Sequence, residues 1–201
     1  MKIIGITGGV GAGKSEILSY IRQHYACKIY LADEVAHKVK EKGQPCYELL
    51  TRLLGREILA PDGEIDKQKM AAVIFADEKL LEQVNEIIHP QVKNYLMDRM
   101  EEAKRDSSIE LFFIEAALLI EAGYQDVVDE LWYIHADRTI RENRLRESRG
   151  YSMEKIRQIM NNQLSEEVFL EKCDFVIDNS GEIGDSYMQI RRKLQEFTYK
   201  E

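Results

Sequence analysis

The sequence predicts an α/β fold in which a parallel sheet is flanked by helices and carries a helical insertion and a small lid. Three observations predict it. A glycine-rich loop, Gly8 to Ser15, joins the apolar run Ile3-Ile4-Gly5-Ile6 to a helix-like stretch, Glu16 to Gln23. Strand and helix signals alternate near both ends of the chain, as parallel sheets require. Between them, Cys46 to Arg105 has helical apolar stripes and no convincing core strand.

Lys2–Thr7 reads as the first strand, buried on both faces. The loop after it, Gly8-Gly9-Val10-Gly11-Ala12-Gly13-Lys14-Ser15, fits G-x-x-x-x-G-K-[ST], the P-loop, in the required strand–loop–helix setting. Glycines let successive backbone N–H groups turn inward with no Cβ in the way. Those groups and the positive end of the next helix form an anion cradle. Lys14 can reach the outer phosphates of a nucleoside triphosphate, and the Ser15 hydroxyl can ligate Mg²⁺. The fold class is thus that of the P-loop NTPases. The alternative is a plain Gly-rich turn, and the motif does not name the phosphate acceptor.

Ser15–His24 is the first helix, with Ile17, Leu18 and Ile21 on one side, and Lys28–Leu31 is a short second strand. Asp33–Lys42 is expected to be helical, with Val35 and Val39 inward, until Gly43-Gln44-Pro45 breaks the pattern. In the insertion, Leu49, Leu50, Leu53 and Leu54 form one face, Pro61-Asp62-Gly63 marks a turn, and Asp66–Phe75 looks helical. Leu80, Leu81, Val84, Ile87 and Ile88 form another face, and a further helix is expected after Pro90, presenting Val92, Leu96 and Met100. The sheet resumes with Leu111–Ile114 and Leu131–Ile134. A charged helix follows from Asp137 to Glu147, then a Gly150-Tyr151-Ser152 break with Ser152 as N-cap. Phe175–Ile177 is the last strand, and Ile183, Tyr187, Ile190, Leu194 and Phe197 stripe the terminal helix. The expected division is a nucleotide-binding core of residues 1–44 and 106–201, with a lid at about 140–165, and a helical insertion at 45–105.

The chain has 201 residues, 44% of them hydrophobic, and a formal net charge of −8. That suits one core domain with insertions, or one domain plus a small lid, in a soluble globular protein. The acidic balance argues against broad nucleic-acid binding, though a local cradle still takes an anion. Cys27, Cys46 and Cys173 are too dispersed for a metal site and read as reduced thiols of a cytoplasmic protein. No run approaches the ~18 apolar residues of a membrane span. A monomer or weak homo-oligomer is expected.

Other residues carry possible chemistry. Asp33, just after the second strand, stands at the carboxyl edge, where ligands of α/β sheets collect. It could accept a proton from an attacking hydroxyl, or equally be a helix N-cap. Glu115 ends the third strand, where a carboxylate can help hold Mg²⁺ through water or simply be solvated. Arg138, Arg141 and Arg144 share a helix face, with Arg146 and Arg149 beyond, before the Gly150 break. Such a cluster suits a mobile lid that binds a transferring phosphoryl group, against a solvated helix with pairs such as Arg138–Glu142. His89-Pro90 interrupts the insertion, and by composition a lone His is more often structural than functional. Asp178-Asn179-Ser180-Gly181 could touch the nucleotide base or make a turn. The nucleotide site is expected to include the loop from Gly8 to Ser15, the adjoining Glu16, and Asn179.

Nearly end to end, the chain resembles the dephospho-coenzyme A kinase family. The resemblance rests on Thr7–Ser15, Ala32-Asp33-Glu34-Val35-Ala36, Phe75-Ala76-Asp77, His89-Pro90, Leu118-Leu119-Ile120-Glu121 and Phe175–Gly181, in that order. It implies ATP-dependent phosphorylation of the ribose 3′-hydroxyl of dephospho-CoA, with Mg²⁺, a P-loop core, a helical CoA-binding domain and a lid. It also implies Asp33 as general base, His89 lining the acceptor site, and Arg144 as a lid arginine. Two positions depart from the family. Glu115-Ala116-Ala117-Leu118-Leu119 replaces Asp-x-Pro-Leu-Leu, and Ser148-Arg149-Gly150 shifts the lid arginine by one residue, about 100° on a helix. Either Arg149 enters along a different backbone path, or Arg144 or Arg141 takes its place. The competing expectations are a kinase for another small acceptor, such as a nucleoside monophosphate, and a nucleotide-binding regulator with little turnover.

Overall fold

Five short apolar runs become the strands of one sheet. In the computed structural model, which describes residues 1–75 and 77–198, these are β1 (Lys2–Thr7), β2 (Cys27–Leu31), β3 (Leu111–Glu115), β4 (Glu130–His135) and β5 (Phe175–Asp178). Their order is β2-β3-β1-β4-β5. β1 pairs in parallel with β3 and β4, and β4 with β5, so Ile6 lies opposite Glu115 on one side and Trp132 on the other. Strands of this kind are covered on both faces, which is why they read as unbroken apolar runs rather than alternations. Ile4, Ile6, Phe112, Phe113, Ile114 and Ile134 are sealed from solvent. Trp132 meets Phe113 and Phe175 edge-on, at centroid distances of 6.0 and 5.2 Å, the geometry that aromatic quadrupoles favour.

The helices are α1 (Lys14–His24), α2 (Ala32–Lys38), α3 (Pro45–Leu54), α4 (Lys67–Phe75), α5 (Glu78–Lys104), α6 (Arg138–Arg149), α7 (Met153–Asn161), α8 (Glu166–Lys172) and α9 (Ile183–Thr198). The chain forms two compact units, one of Met1–Ile29 with Asp106–Glu201 and one of Tyr30–Arg105.

In the first unit, α1 buries Ile17, Leu18 and Ile21, and Ser152 caps α7 by accepting from Lys155 N at 3.3 Å. The terminal stripe is shorter than its spacing predicts. Ile190 and Leu194 are buried, whereas Ile183 is exposed. Tyr187 stacks on Tyr20 with centroids 3.9 Å apart.

In the second unit, α2, α3 and α4 each pack on α5. Helix α5 corrects the expectation of two helices separated at Pro90, because it runs unbroken through that residue. Proline removes one backbone donor. The buried stripe Val84, Ile88, Val92, Leu96 and Met100 continues past it at every fourth position and holds the two halves in one register. Asp77 caps the start by accepting from Lys79 N at 2.9 Å, while the neighbouring Ala76 of the Phe75-Ala76-Asp77 landmark lies outside the described residues.

Two further expectations are corrected here. Helix α2 ends at Lys38 rather than Lys42, because Lys40 N and Glu41 N bond to carbonyls only three residues back and tighten the chain into turns. In α3 the buried stripe is Cys46, Leu50 and Leu54, and Leu49 faces outward. The Pro61-Asp62-Gly63 turn is present, closed by an isolated antiparallel bridge between Leu59 and Ile65. Among the described residues no helix is long and apolar enough to cross a membrane.

Leu96→Ala is expected to lower unfolding stability by about 2–5 kcal/mol, and Leu49→Ala by no more than about 0.5 kcal/mol, both read from urea titrations. Burial, and then the charge of Asp174, push the Cys173 thiol up to about 12. Cys173 should therefore resist iodoacetamide in the native protein at mildly alkaline pH, as followed by mass spectrometry.

Candidate active site

The carboxyl end of β1 delivers the chain into the glycine loop. Gly8, Gly11 and Gly13 adopt φ values of 152°, 80° and 91°. At Gly11 and Gly13 these lie in the left-handed region that side chains disfavour. Gly13 is the N-cap of α1 and no side chain caps the first turn. The positive end of the helix is thus presented by backbone alone, the arrangement that receives an anion. Lys14 folds back over the loop, its Nζ donating to Gly8 O at 2.8 Å and lying 3.6 Å from Glu115 Oε1 at the end of β3. Ser15 and Glu16 are exposed on the first turn, and Glu16 Oε1 accepts from Tyr187 OH at 2.9 Å. Thr7, fully buried, donates from Oγ1 to Ala117 O at 3.4 Å.

Asn179 follows β5 and is 2% exposed. Its Nδ2 donates to Ala12 O at 2.8 Å, and its Oδ1 accepts from Ser186 Oγ at 3.0 Å. Its backbone N–H bonds to His135 O at 2.8 Å. A Cβ on Gly13 would collide with the Asn179 amide. Arg144 reaches the same place from α6, donating to Asn179 O at 2.9 Å and to Ala12 O at 3.4 Å.

Arg141, one turn earlier, donates from Nε to Val10 O at 2.9 Å. Burial lowers its pKa, and the nearby Arg138 lowers it further while Tyr133 opposes this. Helix α6 lies close to the loop because a Cβ on Gly11 would come within 2.9 Å of Arg141 O and 3.1 Å of Leu145 Cγ. Arg138 pairs with Glu142 at 3.1 Å on the outer face. Arg149 is exposed at the far end of α6, its guanidinium 5.9 Å from the Tyr151 ring centroid.

The structure thus brings Lys14, Glu115, Asn179, Arg141 and Arg144 around one loop. Sequence reasoning missed Gln163, which bonds Val10 N and Arg141, and Ser186, which holds Asn179. No motif marks either, since both sit far from the loop in sequence.

In the second unit, Asp33 is exposed in the first turn of α2, where Leu31 rather than Asp33 is the N-cap. A cavity of about 370 Å³ opens beside α2, lined by His37, Lys40, Lys67, Glu41, Glu64 and Met70 among others. Burial lowers the pKa of His37 and of Lys40, and the neighbouring lysine charges add to the effect. His89 is exposed on α5 and lines a separate groove of about 540 Å³ with Glu82, Asn85 and Glu86.

Among the described residues no cluster of three or more His, Cys, Asp or Glu could hold a metal. A Mg²⁺ carried with a triphosphate needs little from the protein, because it keeps several waters and takes phosphate oxygens. The Ser15 hydroxyl beside the cradle fits as its direct ligand.

Comparison with known proteins agrees with this architecture. The family model described as Dephospho-CoA kinase matches residues 2–185. The dephospho-CoA kinase of Aquifex aeolicus is 33% identical over 198 residues, covering 98% of each chain. TT1252 from Thermus thermophilus superposes with a TM-score of 0.80 at 28% identity, covering 97% of each chain. The dephospho-CoA kinase of Campylobacter jejuni superposes with a TM-score of 0.73, covering 98% of this chain and 97% of that one, and at 21% identity supports the fold alone. A P-loop closed by left-handed glycines, backed by a buried asparagine and overlaid by an arginine helix, stands in a sequence that matches this family almost from end to end: the chain belongs to the dephospho-CoA kinase family.

Proposed function

We propose that the chain transfers the γ-phosphoryl group of ATP to the ribose 3′-hydroxyl of dephospho-CoA with Asp33 as general base. ATP-dependent phosphorylation of dephospho-CoA is the activity that goes with its family. The observation that carries the reading is the uncapped N-terminus of α1 behind a glycine loop that holds Lys14. The nucleotide is assigned to the loop from Gly8 to Ser15, with Glu16 beside it and Asn179 supporting it from behind. Lys14 would leave Gly8 O for the outer phosphates, and a lysine there stabilises charge on the group in transfer. Of the arginines assigned to the lid, Arg141 and Arg144 are favoured, because both bond to loop carbonyls. Mg²⁺ would be held by Ser15 Oγ, with Glu115 reaching it through water, and when bound it neutralises charge on the β- and γ-phosphate oxygens.

Asp33 accepts the proton of the attacking hydroxyl in this scheme. Its support is an exposed carboxylate directly after β2 that is not used as a helix cap. The helical unit is the proposed dock for dephospho-CoA, with His89 in the acceptor site and Lys40 and Lys67 of the cavity beside α2 as its cations, set among Glu41 and Glu64. ATP and dephospho-CoA are the proposed partners, without nucleic acid or membrane, for a cytoplasmic monomer or weak homo-oligomer.

A coupled ADP-release assay should show turnover with dephospho-CoA and none above background with nucleoside monophosphates. Asp33→Asn should leave ATP affinity unchanged and lower kcat by about 10²–10⁴-fold. Equal kcat in that variant removes Asp33 from the chemistry. Gly13→Ala forces a side chain into a left-handed position against the Asn179 amide, and calorimetry should detect no ATP binding.

A further inference from the structure

We propose that Gln163 is a positioning residue that latches Arg141 to the nucleotide loop and thereby sets the loop for ATP. Gln163 lies in the connection between α7 and α8, half-buried and outside any helix. Its Oε1 accepts from Arg141 Nη2 at 2.6 Å and from Val10 N at 3.2 Å. The same guanidinium donates from Nε to Val10 O at 2.9 Å. Both backbone groups of Val10 are therefore held by one two-residue clamp, and both lone pairs of the glutamine carbonyl are used.

The clamp closes over a gap left for it. A Cβ on Gly9 would collide with the Arg141 guanidinium, so the absence of a side chain there admits the cation. Ala12 N bonds back to Gly9 O at 3.1 Å, which ties the clamped half of the loop to the half that leads into α1. With the N–H and C=O of Val10 both held by the clamp, the amides that follow keep the orientation of the cradle before the ligand arrives. Pre-organisation of this kind raises affinity by removing the ordering cost from the binding step.

A neutral acceptor also suits the task better than a carboxylate. Glutamine fixes the direction of the guanidinium and leaves its charge in place. A glutamate would form a charge-assisted pair with Arg141 and compete with phosphate for it.

The inference rests on ATP being the donor, and it is tested by ATP affinity in the absence of acceptor. Mg–ATP binding is measured by calorimetry for the wild type, Gln163→Ala, Gln163→Met, Arg141→Ala and the Gln163→Ala/Arg141→Ala double variant. Gln163→Met keeps the length of the side chain and removes its carbonyl. Each single variant should weaken binding about tenfold, equivalent to about 1.4 kcal/mol. The double variant should be no weaker than the poorer single, the signature of two residues acting as one unit. In Gln163→Met, KM for dephospho-CoA and the urea midpoint should stay at wild-type values, which a general packing defect would not allow. Losses that add in the double variant, or wild-type affinity in Gln163→Met, overturn the latch. Failure of the wild type to bind Mg–ATP overturns the latch and the donor assignment together, whereas binding without phosphorylation of dephospho-CoA overturns only the acceptor.

Discussion

The glycine loop depends on one buried amide. Asn179 has almost no solvent contact, and its two polar atoms are committed to Ala12 O on one side and Ser186 on the other. A buried polar side chain is tolerable only when its hydrogen bonds are made, and removing a partner exposes the full cost of desolvation. The asparagine therefore fixes the back of the loop with little freedom to adjust. Arg144 bonds both Ala12 O and Asn179 O, so Asn179 and the arginine helix meet on the Ala12 carbonyl while Ser186 of the terminal helix holds the far side of the amide.

The glycines of the loop answer to two demands at once. Gly11 and Gly13 hold a left-handed backbone that a side chain would strain, which turns the loop amides toward the start of α1 as the proposed anion cradle requires. The space above Gly9, Gly11 and Gly13 is also taken by Arg141, Leu145 and Asn179. The sequence motif records only the first demand. The second is a packing requirement imposed by elements more than a hundred residues away.

Much of the sheet was legible because its strands are buried on both faces and flanked by turns. β1, β3, β4 and β5 stand within a residue or so of where their apolar runs place them. Helix limits were less legible. The pattern through Val39 suggested a longer α2, but the turns that bury Val39 are not helical. Proline predicts a break at Pro90, yet a continuous apolar stripe outweighs one missing donor. At the site, Lys14, Ser15 and the glycines were marked by their spacing, and Asn179 by its place after a strand. Gln163 and Ser186 were not, because a single hydrogen bond between distant segments leaves no periodic trace.

The unbroken course of α5 constrains how this chain can vary. At 1.5 Å per residue its 27 residues make a rod of about 40 Å. Losing or gaining one residue near its middle would swing everything downstream by about 100° and lift Leu96 and Met100 out of their seats. Substitutions on the outward side of the rod cost little, but changes of length do not. Insertions and deletions in this unit are thereby confined to its connections, such as the turn at Gly63, and the helix acts as a fixed ruler against which they are accommodated.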